Sequence, residues 1–204
     1  MEFSTEKKAQ SVDGLRQRKR RDTLQRIAKA GLDLFLTKGY EETTLDDISA
    51  AAEISRRTFF YYFKSKDEIL LAWQSGLVEA LRKALLEEPS KQSPLDTLCN
   101  ALLNLAAPFN SDSTLVIAQL LKSNDHLRAA NQAKYLQLEQ TAFEVLCELW
   151  PHEQRSVQLR MIAMIGLGAF RVAVDDWTDQ GGKLPFPEHL SQALKDLRTE
   201  LQRT

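Results

Sequence analysis

The sequence predicts an all-α protein of about nine helices. Three observations predict it. Apolar residues recur at three- and four-residue spacing through most of the chain. No stretch alternates with the period of two that a half-buried strand needs. Only eight Gly and six Pro interrupt 204 residues, mostly where a helix has to stop. With 43% hydrophobic and 27% charged residues the chain can bury a sizeable core, which excludes disordered and collagen-like classes.

Each element has a local reason. Residues 1–18 are polar, mixed in charge and aperiodic, and read as a flexible basic arm. Leu24, Ile27, Ala28, Gly31, Leu34 and Phe35 share one helical face, and Gly39 supplies the stop, with Tyr40 as its apolar follower. Thr44 with Asp47 is a capping-box pattern opening a helix to about residue 52, and Ser55 caps a second over about 56–63. Ser65 with Glu68 repeats the pattern and opens one long helix through Trp73, Leu77, Leu81 and Leu85, which Pro89 ends. Ser93-Pro94 begins the next, which Pro108 stops. Helices over about 114–122, 125–150 and 152–180 follow, broken by Pro151 and closed by Gly181-Gly182. A last helix over about 188–202 spaces Leu190, Leu194, Leu197 and Leu201 like a heptad seam. The predicted division is an arm over 1–18, a unit of short helices over 19–64 and a larger helical domain over 65–204.

Charge is placed unevenly. The chain carries 27 Lys+Arg against 28 Asp+Glu, yet residues 7–29 hold nine basic and two acidic side chains, and the chain from Leu71 onward holds 13 basic against 16 acidic. A basic excess confined to one end predicts an anionic partner met there. Cys99 and Cys147 lack C-x-x-C spacing and cannot make a disulfide framework, which points to a reducing cytosol. Residues 1–25 contain no apolar signal core, and the longest apolar stretch, 161–174, carries Arg171 and is shorter than the ~20 residues of a spanning helix. A cytoplasmic protein without a membrane partner is therefore expected. His126, His152 and His189 stand singly, and neither a Gly-rich phosphate loop nor a nucleophile elbow occurs. No cofactor, metal or catalytic set is expected.

The segment 44–63 has the layout of a helix-turn-helix, in which one helix braces a second that enters a major groove about 12 Å wide. Ile48, Ala52, Ile54, Phe59 and Phe63 make its small core, leaving Arg56, Arg57, Thr58, Phe60, Tyr61 and Tyr62 to be shared between packing and surface. Five consecutive aromatics cannot all face so small a core. Exposed rings beside two arginines need a partner, either a nucleic-acid groove or an acidic protein groove.

Residues 24–70 resemble the DNA-binding domain of the TetR family of bacterial transcription regulators. Ile27, Ala30, Phe35, Gly39-Tyr40, Thr43-Thr44, Ile48, Ala52, Ile54-Ser55, the aromatic run and Phe63-Lys64-Ser65-Lys66 carry the likeness. The resemblance implies that Arg56 and Arg57 face base edges, that Thr58, Tyr61 and Tyr62 reach bases or backbone, and that Thr44 and Lys66 bind phosphates. Phe60 departs from the pattern, where tyrosine is usual, and suits a thymine methyl instead. The arm around Arg16–Arg21 would add salt-dependent affinity.

The resemblance also implies partners: a palindromic double-stranded operator, a second copy of the chain and a small, largely apolar effector whose binding releases DNA, so that the protein acts as a repressor. Trp73, Leu77, Leu102, Gln119, Tyr135, Glu139, Phe143 and Met164 are the candidate lining of an effector pocket. Helix 161–174 is apolar on all sides except Arg171, so Ile162, Gly166 and Phe170, with Leu190, Leu194, Leu197 and Leu201, are the candidate dimer interface.

Overall fold

The computed structural model describes residues 3–73, 76–89, 91–109, 112–123, 125–151 and 155–202, apart from the side chains of residues 3–15, 17, 73, 112, 201 and 202. Among the described residues the regular structure is ten α-helices without a strand. They form two compact units, Met1–Trp73 and Gln74–Thr204.

The first unit holds α1 (Phe3–Thr37), α2 (Leu45–Ala51), α3 (Arg56–Tyr62) and α4 (Asp67–Trp73). Helix α1 begins inside the segment predicted as an arm. That segment contains no proline, and its Glu, Lys, Ala, Gln and Arg residues favour helix, with Gly14 the weakest position. Ile27, Ala28, Leu32 and Phe35 form the buried face of α1. Gly39 at φ 93° then turns the chain so that the Tyr40 ring meets Phe35 edge-on, 4.9 Å between centroids.

Gly31 sets how closely α4 approaches α1: a Cβ there would lie 2.7 Å from Ile69 Cδ1. Ile69 and Leu70 are fully buried, which carries this unit past residue 64 to Trp73. The capping box read from Ser65 and Glu68 does not form. Helix α4 begins at Asp67, and the Glu68 carboxylate accepts a hydrogen bond from Lys64 N at 2.7 Å.

The second unit holds α5 (Leu77–Glu87), α6 (Pro94–Ala106), α7 (Asp112–Ser123), α8 (Asp125–Leu149), α9 (Ser156–Asp179) and α10 (Phe186–Gln202). The single helix predicted from Ser65 to Pro89 is therefore two helices, with Gly76 at the start of the second. Glycine in a helix interior costs about 1 kcal/mol relative to alanine, and the break falls where that weakness lies.

Helix α6 is central. Ser93 caps it, accepting from Asp96 N at 3.2 Å, and Leu98, Ala101, Leu102, Leu105 and Ala106 are buried between α5, α9 and α10. Helix α9 gives Leu159, Ala163, Leu167, Phe170 and Trp177 to the same core, and Leu190 and Leu194 of α10 close it. Ion pairs tie the layers at the surface: Arg82–Glu148 (2.9 Å), Lys122–Asp179 (2.6 Å) and Arg198–Asp96 (2.8 Å). Taken whole, α9 is long and apolar enough to cross a bilayer, which a count of its uninterrupted apolar run misses. Here its Leu and Phe side chains pack on α6, α8 and α10.

Candidate nucleic-acid interface and ligand cleft

Two caps build the helix-turn-helix. Thr44 Oγ1 accepts from Asp47 N at 3.1 Å and donates to Asp47 Oδ2 at 2.7 Å, while Asp47 Oδ2 accepts from Thr44 N at 2.8 Å. Lys38 Nζ reaches the same carboxylate at 2.6 Å. The Lys38 contact first, then the Thr44 hydroxyl and N–H, hold the Asp47 carboxyl well below the usual carboxylate range. Ser55 caps α3, accepting from Thr58 N at 3.1 Å. Between the two helices Glu53 takes φ 53°, a left-handed conformation that lets the chain reverse in so few residues.

Ile48, Ala52 and Phe59 are fully buried and Phe63 nearly so, so one side of α3 is fixed against the body. The other side carries Arg56, Arg57, Phe60 (51% exposed) and Tyr61 (70% exposed), with Thr58 and Tyr62 half-buried. Arg56 leans on Asp46 of α2, Nε–Oδ1 3.4 Å, a partner that the spacing of the motif does not disclose. Exposed basic side chains continue along α1 at Arg16, Arg18, Lys19, Arg20, Arg21, Arg26 and Lys29, and Lys29 pairs with Asp33 at 2.6 Å.

Lys66 stands differently from the phosphate ligand that the resemblance implies. Its Nζ donates to Tyr40 O at 2.7 Å and lies 3.3 Å from Glu41 O and 3.4 Å from Thr43 O. It also sits 4.3 Å from the Tyr40 ring centroid, while the Tyr40 hydroxyl donates to Asp67. The ammonium is spent on the turn that presents Thr44. The partners are about 25 residues away along the chain, so no local pattern announces them.

In the second unit a cleft of about 200 Å³ lies between α8 and α9, lined by Gln132, Tyr135, Leu136, Glu139, Met164, Leu167, Gly168 and Arg171. Tyr135, Glu139 and Met164 of the predicted pocket meet there. The others do not. Leu102 is fully buried in the core, Leu77 packs against that core, Gln119 is exposed on α7, and Phe143 lies under the Arg160 guanidinium at 4.2 Å. The Trp73 side chain lies outside the described residues. Burial pushes the Tyr135 phenol up, with Asp175 adding to it. Arg160 pairs with Glu139 at 3.7 Å, whereas Arg171 has no ion pair among the described residues and sits 5.9 Å from the Tyr135 ring centroid.

The predicted dimer face needs correction. Phe170, Leu190 and Leu194 are buried within the unit, and a Cβ at Gly166 would lie 2.4 Å from Leu98 Cδ2. Ile162 and Leu197 are half-buried, and the Leu201 side chain lies outside the described residues. Gly166, Phe170, Leu190 and Leu194 thus lie on the face that α9 and α10 turn inward, and Ile162 packs against the same core. Helix α9 is apolar on a second side: Val157 (69% exposed), Met161, Met164, Ile165 and Val172 (65% exposed), with Gly168 open among them. Their three- and four-residue spacing was visible in the sequence, but periodicity alone cannot say which of two apolar faces is covered.

Comparison with known proteins agrees with this division. Residues 27–73 match the family model described as bacterial regulatory proteins, tetR family, and residues 92–202 match the MftR C-terminal domain. The HTH-type transcriptional regulator TcmR of Streptomyces glaucescens is 43% identical over 88 residues, 43% of this chain and 39% of TcmR. The HTH-type transcriptional regulator CymR of Pseudomonas putida is 27% identical over 130 residues, 63% of this chain and 64% of CymR. These curated relatives are thus matched over less than two thirds of their length. Among solved structures, Thermus thermophilus FadR, a transcriptional repressor in complex with lauroyl-CoA, has 25% identity and a TM-score of 0.57 over 85% of this chain and 92% of its own. Bacillus subtilis FadR in complex with stearoyl-CoA shares the fold, with 17% identity and a TM-score of 0.60 over 85% and 96%.

Proposed function

Because the chain belongs to the TetR family of bacterial transcription regulators, and is a helix-turn-helix DNA-binding regulator rather than an enzyme, we propose that it works in the cytosol as a homodimeric repressor on a palindromic operator, released by a small effector. The observation that carries this reading is the outer side of α3, where Arg56, Arg57, Phe60 and Tyr61 stand exposed while Phe59 anchors the helix behind them. Arginine grips guanine O6 and N7 with two donors, and a phenyl ring suits a thymine methyl.

The second apolar face of α9 supports the dimer. A row of exposed Val, Met and Ile on a helix that already fills its own core on the other side asks for a cover, and a two-fold copy supplies the same row. Two copies of α3 then read half-sites about 34 Å apart. An effector acts by favouring a conformation that fits DNA poorly, a coupling of about 1–3 kcal/mol. The likeness to a repressor holding lauroyl-CoA supports an effector with an apolar part.

Selection of bound duplexes from random pools tests this proposal. A palindrome is expected to be enriched, and Arg56→Ala to relax base preference at one position of each half-site by about 1–3 kcal/mol. Failure of the purified chain to enrich any sequence at low salt overturns it.

A further inference from the structure

We propose that the α8–α9 cleft is a binding site for a compact carboxylate with an apolar body, gripped by Arg171 and roofed by the second copy of the chain. The roof rests on the homodimer proposed above; the grip does not. Leu167 is the buried floor and Tyr135 one wall, its ring set edge-on to Phe170 with centroids 6.5 Å apart. Leu136 and Met164 give the rim apolar surface. A Cβ at Gly168 would meet nothing within 4 Å, so the mouth is open there.

Charge selects the ligand. The cleft holds two charged groups, and they are not equivalent. Glu139 already has a cationic partner, Arg160 at 3.7 Å, whereas Arg171 forms no ion pair among the described residues. A planar guanidinium beside an aromatic wall matches a carboxylate carried on a ring or short chain, which it can hold by two parallel hydrogen bonds. A volume of about 200 Å³ lies below the ~300–1,000 Å³ of drug-sized pockets, so the body must be small.

Met164 and Gly168 belong both to the cleft and to the exposed row on α9. Whatever covers that row also covers the mouth. The ligand is therefore enclosed only when two copies meet, and its binding is linked to the state of the dimer.

The test uses the full chain with benzoate and its neutral isostere benzamide, read by calorimetry and by melting temperature. Benzoate is expected to bind at least tenfold more tightly, and Arg171→Gln to abolish the difference while leaving the melting temperature of the free protein in place. Equal binding of the two probes, no binding of either, or a preference that survives Arg171→Gln overturns the grip. Val172→Glu, outside the cleft, separates the roof from the grip. If this variant is monomeric and loses at least tenfold in benzoate affinity, the roof is supported; if it is monomeric and binds as tightly as the parent, the roof falls and the grip stands. A Val172→Glu chain that remains dimeric refutes the use of the exposed α9 row as the dimer face, and the roof with it.

Discussion

Replacing Lys66 by methionine keeps the aliphatic stem and removes the ammonium that spans the Tyr40–Thr43 turn. Of its three carbonyl partners only Tyr40 O, at 2.7 Å, is at full hydrogen-bond length. One charge-assisted bond, to a carbonyl that still accepts from Thr43 N at 3.3 Å once the ammonium is gone, is worth about 1.5–3 kcal/mol. The contact 4.3 Å from the Tyr40 ring adds about 0.5–1 kcal/mol at a partly exposed site. Ordering a long side chain offsets some of this, so the net loss is about 2 kcal/mol. Urea unfolding measures it directly. DNA affinity falls with it, by about three- to tenfold, because the turn presenting Thr44 is no longer pinned. The decisive quantity is the salt dependence of that affinity. A lysine that neutralises a phosphate contributes about 0.9 to the slope of log K against log salt; one that binds carbonyls contributes nothing. Anisotropy titrations between 50 and 200 mM salt on the selected duplex should therefore give parallel lines for the parent and Lys66→Met. Lys64→Ala, which removes an exposed side chain, should flatten the slope. A slope reduced by about 0.9 in Lys66→Met, with the urea midpoint unmoved, would show that Lys66 serves phosphate and that the carbonyl clamp is not its role.

Three further predictions use other parts of the chain. Gly166→Ala forces a methyl against Leu98 and should cost about 1–3 kcal/mol in urea without changing subunit exchange; Gly168→Leu, in open space, should avoid that clash and raise the monomer fraction in ultracentrifugation. The Asp47 carboxyl is held below its unfolded value, so its stabilisation is present above about pH 4 and lost as pH falls through the lowered folded value. The urea-midpoint gap between parent and Asp47→Asn should accordingly close on acidification, and a gap independent of pH contradicts the assignment. Glu53→Gly relieves a left-handed residue and should gain up to about 1 kcal/mol, whereas Glu53→Val should lose at least as much. Equal midpoints for the two variants would mean that φ at this position carries no strain.

Local interactions made much of this fold readable. A cap joins a side chain to a backbone N–H three residues on, so Thr44 with Asp47, Ser55 with Thr58 and Ser93 with Asp96 could be recognised from spacing alone. The glycine stops at Gly39 and Gly181 followed from the same short-range sterics. Residues 65–68 show where that reasoning fails. Spacing offered Glu68 the N–H of Ser65, and in the fold its carboxylate accepts from Lys64 N instead, one residue earlier.

What the amino-acid order alone determined is the all-helical class, most of the helices though neither the start of α1 nor the division between α4 and α5, and the side of α3 that carries arginine and aromatic rings. Tertiary structure decided which apolar face of α9 is spent inside the unit, that Lys66 turns back to the Tyr40–Thr43 carbonyls, and that Tyr135, Met164 and Arg171 surround one cleft. The reason is physical. Helical periodicity records that a face avoids water, but the hydrophobic effect has no direction, so the choice among partners is made only when whole helices compete for the same core.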